Sequence, residues 1–593
     1  MGVDASAVAR VLGVSTTFKN LRAGGVAFLP MRIALFAQGA SDSVYSEAKR
    51  QVTSAGEVGS IYGYGSPAHL CARQLFPQNG DGVGTIPVTI YPLVDDGSGV
   101  ASEGSIVPSG TQTTQASYRV KVNNILSDAF VIPVGASVST ICARMEAAIS
   151  AVLEMPVKVT FTYSTPVASK TTTIGTSDGT CTALSVTGAP QVGSYLLECT
   201  TAVANGGVWK LTAPDGTVIS TNITMTPAPA GATVINQGGL QFTLTDGTED
   251  FDVGDIFTIV VAATDVTLTS KWKGESANDI YVEVVGTDYG VTFAITQPTG
   301  GLVNPEVDAA IARIGNVWEP LLLNALNVED TTALGAISTF GEGRWGELVR
   351  KPLVAFVGNT ATTVTAATAV SSTRRTDRTN AQLVAPGSKD LPCVVAARQL
   401  ARIAKVANNN PAVGYGKQSA TGLVPGADED QWDYAQRDVA VKAGSSTVES
   451  VDGVVMIGDV VTFYRPTGDQ SPAYRQVVTI IKLMQVIFNL SLIFEAVEWA
   501  AAPLIPDADP TTNSAARKPR DAKTAANAMI DSLGLNAIIS DPKTAKANTT
   551  AGINALNPDR LDLGVTVQVS GNTFIVSADL NFGFYYGAAG LVA

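Results

Sequence analysis

A single histidine, His69, serves a chain of 593 residues. That nearly removes Ser-His-Asp triads, His-ligated metals and imidazole acid–base catalysis from consideration. His69 falls at the third position of a short helix opened by Ser66-Pro67 and reads as a packing or surface residue. Gly341-Glu-Gly343-Arg-Trp-Gly346 is a literal GxGxxG. Dinucleotide binding requires a strand before that motif and a helix opening at it, whereas Thr331–Phe340 reads as helix, so chance explains the match. Gly414-Tyr-Gly416-Lys417-Gln-Ser419 is a loose phosphate loop in which Gln418 displaces the hydroxyl that would ligate Mg²⁺. Asp428-Glu-Asp430 with Asp433 is the densest acidic cluster, but Trp432 and Tyr434 stand where a calcium loop needs alternating oxygens and a central glycine. No catalytic residue, cofactor-binding residue or metal ligand is expected, and the chain does not read as an enzyme.

The spacing that does stand out lies at the C-terminal end. From Thr573 to Tyr586 the even positions are apolar or near-neutral: Phe574, Val576, Ala578, Leu580, Phe582, Phe584 and Tyr586. The odd positions are mostly polar or small, with Ile575 and Tyr585 as exceptions. Period two sustained over that length marks a strand with one buried face. Upstream, Pro503 to Pro558 is rich in Ala, Thr, Asn, Asp, Lys and Pro and reads as a long tether. Burying the apolar side chains of such a strand yields about 1.5–3 kcal/mol each, and ordering its backbone costs about 1–2 kcal/mol per residue. The two nearly cancel, so an arm of this kind orders where a waiting sheet edge adds main-chain hydrogen bonds. An equal alternative is that the strand closes its own sheet.

The chain is long enough for three or four domains. Apolar residues make up 45%, with 56 glycines and 29 prolines, which describes an ordered, turn-rich protein. The net charge of −13 argues against nucleic acid as a partner. The small basic groups Arg374, Arg375 and Arg378, and Arg517, Lys518 and Arg520, lack interleaved aromatics and read as solvated loops. Met1–Arg10 has no apolar run of signal-peptide length, so export by that route is not expected. Val477 to Ile505 is strongly apolar, but Lys482, Asn489, Glu495 and Glu498 interrupt it. It reads as a buried helix running into a strand, with no membrane insertion. The five cysteines are odd in number and widely spaced, as reduced core thiols are; a Cys181–Cys199 bridge is the one pairing left open.

Helix and strand signals alternate over most of the sequence. Arg32–Phe36 is a buried strand, Ser54-Ala-Gly-Glu57 has capping-box spacing, and Ser66-Pro67 opens a second helix. Ser139–Glu154 carries an apolar stripe at Ile141, Met145, Ile149 and Val152. From Ser164 to Ala263 no helix is legible. Thr, Gly and Val dominate there, strands recur, and turns such as Pro214-Asp-Gly216 separate them, as in a β-sandwich. Pro305–Trp499 alternates again. The expected fold is mixed α/β and multidomain, with two α/β bodies, a nested all-β insertion and extended terminal arms.

These segments resemble the tail sheath proteins of contractile-tailed bacteriophages, the Mu-like branch in particular. Phe18–Gly39, with Leu29-Pro30 and Arg32-Ile33, is similar to that branch's first segment, and Val52-Thr-Ser54 through Ile61-Tyr-Gly63 and Gly65-Ser66 to its next helix and turn. Met155-Pro-Val157 and Trp272-Lys-Gly-Glu-Ser-Ala-Asn278 resemble the two sides of its insertion domain. Thr379-Asn380, Val461-Thr-Phe-Tyr464 and Asn557-Pro-Asp-Arg-Leu561 complete the pattern. The block 164–263 instead resembles small β domains of phage head and tail surface proteins, through Pro214-Asp-Gly216, Gly239–Thr245 and Phe251–Phe257.

The resemblance implies a structural virion protein of the phage tail, assembled in the host cytoplasm as a homo-oligomer of stacked, helically arranged rings, usually hexameric. Its implied partners are the tail tube protein, the baseplate and the tail terminator. Contraction would drive the tube through the host envelope for genome delivery without nucleotide hydrolysis. Exchange of terminal arms between subunits would involve Phe574, Val576, Ala578, Leu580, Phe582, Phe584 and Tyr586. The implied organisation is an N-terminal arm at 1–30, the first part of an α/β domain at 31–117, and an insertion domain at 118–163 and 264–300. A nested all-β domain at 164–263, a C-terminal α/β sheath body at 301–563 and a C-terminal strand arm at 564–593 complete it. The rival reading is a non-contractile tail or baseplate surface protein whose β domain binds the host. Replacing Ser164–Ala263 by a short Gly-Ser linker is expected to leave a soluble, folded chain, because Val157–Tyr163 and Asp265–Trp272 can still pair. Circular dichroism and sedimentation check this, and insolubility would place the block in the core.

Overall fold

Short runs in which nearly every residue is apolar or small, such as IALFAQ and VAFVGN, cannot leave one face in water and must be buried on both sides. In the computed structural model, which describes residues 27–78, 81–226, 231–468 and 473–580, these runs form one six-stranded sheet. Its order is Arg50–Val52, Val88–Leu93, Ile33–Gln38, Leu321–Asn324, Val354–Asn359 and Asn380–Val384. All neighbours are parallel except the edge strand Arg50–Val52. Ile33 stands opposite both Val88 and Leu321, so the first strand of the described residues lies in the middle of the sheet.

Period-two alternation splits the core into two layers. Ile33, Leu35, Val88, Ile90, Leu321 and Leu323 face the helices Ala55–Tyr62, Pro67–Leu75 and Pro392–Asn409 and the start of Val477–Phe494. Ala34, Phe36, Tyr91, Leu322 and Ala355 face Asp308–Ile314 and Thr331–Arg344. Gly358 is required by close approach: a Cβ there would lie 1.7 Å from the Pro392 carbonyl oxygen, at the start of the long helix on the sheet.

Between the strands Val88–Leu93 and Leu321–Asn324 the chain makes a long β-rich excursion. Ala101–Gly110, Val157–Tyr163, Ala263–Lys273 and Val291–Thr299 form an antiparallel sheet next to the helix Val138–Ser150. Within the excursion, Val167–Thr172, Gly193–Val203, Gly206–Thr212, Val218–Met225 and Ile256–Val261 form a five-stranded sheet. Thr180–Val186, Ala232–Gln237 and Leu240–Thr245 form a three-stranded one. Trp209, Tyr195, Phe242, Phe251 and Phe257 make a hydrophobic core separate from that of the main sheet.

Four expectations require correction. The two α/β bodies are one: segments from both halves of the chain share the six-stranded sheet, because a doubly buried strand is satisfied by any apolar neighbour and its sequence does not say which. Ala101–Gly110, placed with the first α/β part, pairs instead with Ala263–Lys273 and Val291–Thr299. The stretch Pro503–Pro558 is no tether. It holds the helices Pro519–Leu535 and Pro542–Asn548 and the hairpin Thr550–Ile553/Leu561–Gly564. Met529, Ile530 and Leu533 pack there with Val486, Ile538, Ile539 and Ala545. Its alanines, which suggested a flexible composition, are the strongest helix formers, and Ala522, Ala526, Met529, Ile530 and Leu533 fall on one buried face. Past Phe494 the apolar stretch enters turns and no strand.

Candidate assembly site

Helix Val477–Phe494 is long and apolar enough, by length and composition, to cross a membrane, yet half of it is buried inside the protein. Its side chains Lys482, Gln485 and Asn489 are spaced three and four residues apart and so share one stripe. All three are buried, Lys482 and Gln485 with no exposed surface. Buried polar groups need partners, and Lys482 Nζ, Gln485 Oε1 and Asn489 Nδ2 find theirs in segments near the two ends of the described chain, while Gln485 Nε2 has none among the described residues.

Lys482 Nζ donates to the Ser570 carbonyl (2.8 Å), Ser570 Oγ (3.0 Å) and Asn572 Oδ1 (2.7 Å). Gln485 Oε1 accepts from the Leu29 amide at 2.8 Å. Asn489 Nδ2 donates to the Ala27 carbonyl at 3.0 Å. Each root has a second tie. The Met31 amide donates to Asn408 Oδ1 at 3.3 Å. Asn572 Nδ2 donates to the Ala412 carbonyl at 2.9 Å, and the Ser570 amide donates to the Ile538 carbonyl at 3.1 Å. Burial lowers the Lys482 pKa, and among the described residues no carboxylate forms an ion pair with it. One helix therefore holds the roots of both terminal segments.

From Thr573 to Leu580 the chain is exposed. Residues 573–580 take no regular structure, and Phe574, Ile575, Val576 and Leu580 are 46%, 79%, 79% and 83% exposed. Ala578 is exposed as well. Phe582, Phe584 and Tyr586 lie outside the described residues, as do residues 1–26 of the expected N-terminal arm. Close to the C-terminal root, the hairpin Thr550–Ile553/Leu561–Gly564 and the short ladder Ile539–Ser540/Gln568–Val569 are two-stranded. Among the described residues each has backbone edges without a strand neighbour.

The residues weighed for chemistry are dispersed. His69 is buried; its Nδ1 accepts from the Gly65 amide at 3.1 Å and its ring packs edge-on against Tyr64. Gly341 and Gly343 lie inside the helix Thr331–Arg344, and Gly341 abuts Thr379. Lys417 pairs with Glu449. Asp428–Asp430 is a short 3-10 turn, and Asp433 caps the helix Tyr434–Lys442 in a capping box with Gln436. All five cysteines are buried free thiols. Among the described residues no group of three or more His, Cys, Asp or Glu side chains could hold a metal ion. Sequence reasoning missed Lys482, Gln485 and Asn489 as anchors and took two of them as breaks in an apolar run. Their i, i+3, i+7 spacing was the available signal.

No family model matches the chain. The chain is 26% identical over 231 residues to the Mu-like prophage FluMu tail sheath protein of Haemophilus influenzae. The match covers 38% of this chain and 46% of that protein, so it spans less than half the length of the curated relative. Among solved structures it is similar to the sheath tail protein of Desulfitobacterium hafniense, with a TM-score of 0.40, 11% identity and coverage of 94% of this chain and 100% of that one. The corresponding values for the sheath tail protein of Listeria innocua are 0.41, 10%, 93% and 94%. The resemblance to phage tail sheath proteins read from the sequence thus has a counterpart in a curated relative.

Burial, with Arg73 and Lys271 nearby, pushes the His69 imidazole down to about 4. Its pKa in an unfolded chain is about 6.5, so the unfolded state binds more protons in acid. The stabilisation from keeping this ring neutral is therefore full above pH ~6.5 and is lost as pH falls toward 4, amounting to ~2 kcal/mol between pH 7 and 5. Because the chain has one histidine, the check is unambiguous. In histidine-labelled protein the imidazole resonance should stay at its neutral position from pH 8 to 5. A midpoint near 6.5 would contradict the buried, neutral assignment.

Proposed function

We propose that this chain is a subunit of a contractile phage tail sheath, and that its C-terminal segment from Thr573 is a strand donated to a neighbouring copy. The observation that carries this is the contrast at Asn572. Ser570 and Asn572 are tied into the body by side-chain and main-chain hydrogen bonds, and among residues 573–580 the alternating apolar residues are exposed and outside any strand. A segment with that pattern gains its missing hydrogen bonds from a sheet edge. The acceptor we assign is the two-stranded hairpin Thr550–Ile553/Leu561–Gly564 of another copy, since a lone hairpin is marginal in water and gains from added strands. Phe574, Val576, Ala578 and Leu580 would fill one face of the shared sheet, continued by Phe582, Phe584 and Tyr586.

Because donor and acceptor are different surfaces of one chain, each copy can give an arm and take one. Such head-to-tail contacts repeat into rings or an open helix. Stacked rings, hexameric as in the family's usual pattern, would enclose a tail tube and meet a baseplate and a tail terminator. Connected subunits can shift relative to one another without separating, so the free energy of contraction resides in subunit contacts. In this reading the sheath is assembled in the host cytoplasm, belongs to the virion tail, and drives the tube through the host envelope for genome delivery. The excursion 101–299 acts as an insertion on the α/β body. Its inner block 164–263, with its own aromatic core, is a nested domain projecting from the sheath.

Ending the chain after Asn572 leaves the acceptors of Lys482 in place and removes only the donor strand. The truncated protein should keep its circular dichroism and melting profile and sediment as a non-polymerising species, while the full chain forms tubes in micrographs. Tubes of normal appearance from the truncated chain would overturn strand donation.

A further inference from the structure

Lys482 is a costly residue to bury by ordinary rules. An ammonium with no exposed surface and no carboxylate partner among the described residues is costly to bury. It is kept satisfied by three oxygen acceptors, matching its three donors, and all three belong to two residues of the C-terminal root, Ser570 and Asn572. If the root lifts away, a buried cation is left with no hydrogen-bond partner, a state far less favourable than the loss of an ordinary contact. Asn572 is tied twice, to Lys482 through its oxygen and to the Ala412 carbonyl through its nitrogen. The next residue, Thr573, is exposed and outside regular structure.

The same helix holds the other root. Gln485 and Asn489 grip the Leu29 amide and the Ala27 carbonyl one and two turns further along the helix. An α-helix is stiff over that distance and rises about 1.5 Å per residue, so the segments Ala27–Leu29 and Ser570–Asn572 are held at a fixed separation set by the helix.

We propose that Lys482 and Asn572 form a pivot: the C-terminal arm swings only from Thr573 onward, and the Lys482–Gln485–Asn489 stripe fixes where that arm leaves the body relative to the segment Ala27–Leu29. Lys482 is thus a positioning residue for strand exchange, acting on the arm's root and not on the partner's sheet. The inference rests on the arm-donor reading for its purpose, but its geometry is testable in the single chain. The lowered Lys482 pKa is in keeping with a cation held away from water.

Hydrogen exchange on the full-length chain, kept monomeric by dilution, reads the pivot directly. In the wild type, the Ser570 amide, which donates to the Ile538 carbonyl, should be protected and the amides from Thr573 onward should exchange freely. In Lys482→Met, and separately in Asn572→Ala, protection at 568–572 should fall at least tenfold while the main sheet keeps its rates. The double variant should show little further loss, because both changes remove the same link. Unchanged protection in Lys482→Met would overturn the pivot, showing the root held by the Ile539–Ser540 ladder alone. A uniform rise in exchange across Ile33–Gln38 as well would overturn it too, making Lys482 a general core residue. If Lys482→Met does not fold, Asn572→Ala gives the same reading on its own. Tubes grown from Asn572→Ala should show an irregular axial repeat, and a wild-type repeat would contradict the role in register. Tubes from the truncated chain, which would overturn strand donation, would leave the exchange result standing, so the two readings fail separately.

Discussion

The constraint on which the structure depends is that Ile33–Gln38 must be buried on both faces and on both edges. Its edges are taken by Val88–Leu93 on one side and Leu321–Asn324 on the other, so residues far apart in sequence are forced into one sheet. Everything between those strands is free to become an excursion, because its two ends are already fixed by the sheet. A large β-rich insertion can therefore sit in the middle of the chain without disturbing the body that carries it.

The same constraint brings the segments Ala27–Leu29 and Ser570–Asn572 to one helix. The segment just before Ile33 runs along the helix Val477–Phe494, which packs on the same layer of the sheet as Ile33 and Leu35. The C-terminal root reaches that helix from the other direction through Lys482. An apolar helix in a protein core would be more stable without a lysine, a glutamine and an asparagine. Their retention is explained by what they hold. Polar contacts specify position where apolar ones would allow sliding, and position is what an exchanged arm needs.

Much of this was legible in the sequence, and the failures have physical causes. The capping signals at Ser54 and Ser66 are helix starts in the structure, with each serine side chain accepting the expected amide. The stripe Ile141, Met145 and Ile149 is the buried face of its helix. The block without helix signals contains only strands and turns among its described residues. What periodicity does not carry is which distant strand lies beside which, and so one sheet was read as two bodies. Alanine-rich composition was mistaken for a tether because alanine suits both a helix and a loose linker, and the spacing of Met529, Ile530 and Leu533 was the deciding signal. The anchors were hidden for a related reason. A lone lysine in an apolar run reads as an interruption until the segment it binds is known, and that segment lies nearly ninety residues away.

The central claim is that the exposed segment after Asn572 completes a sheet in another copy. The most direct measurement is an electron cryomicroscopy reconstruction of tubes grown from the purified full-length chain. The account predicts Thr573–Leu580 as an ordered strand hydrogen-bonded to the edge of a neighbour's Thr550–Ile553/Leu561–Gly564 hairpin, with Phe574, Val576, Ala578 and Leu580 on its buried face. A reconstruction in which that segment pairs within its own chain, or in which tubes hold together while it stays unpaired, would contradict it.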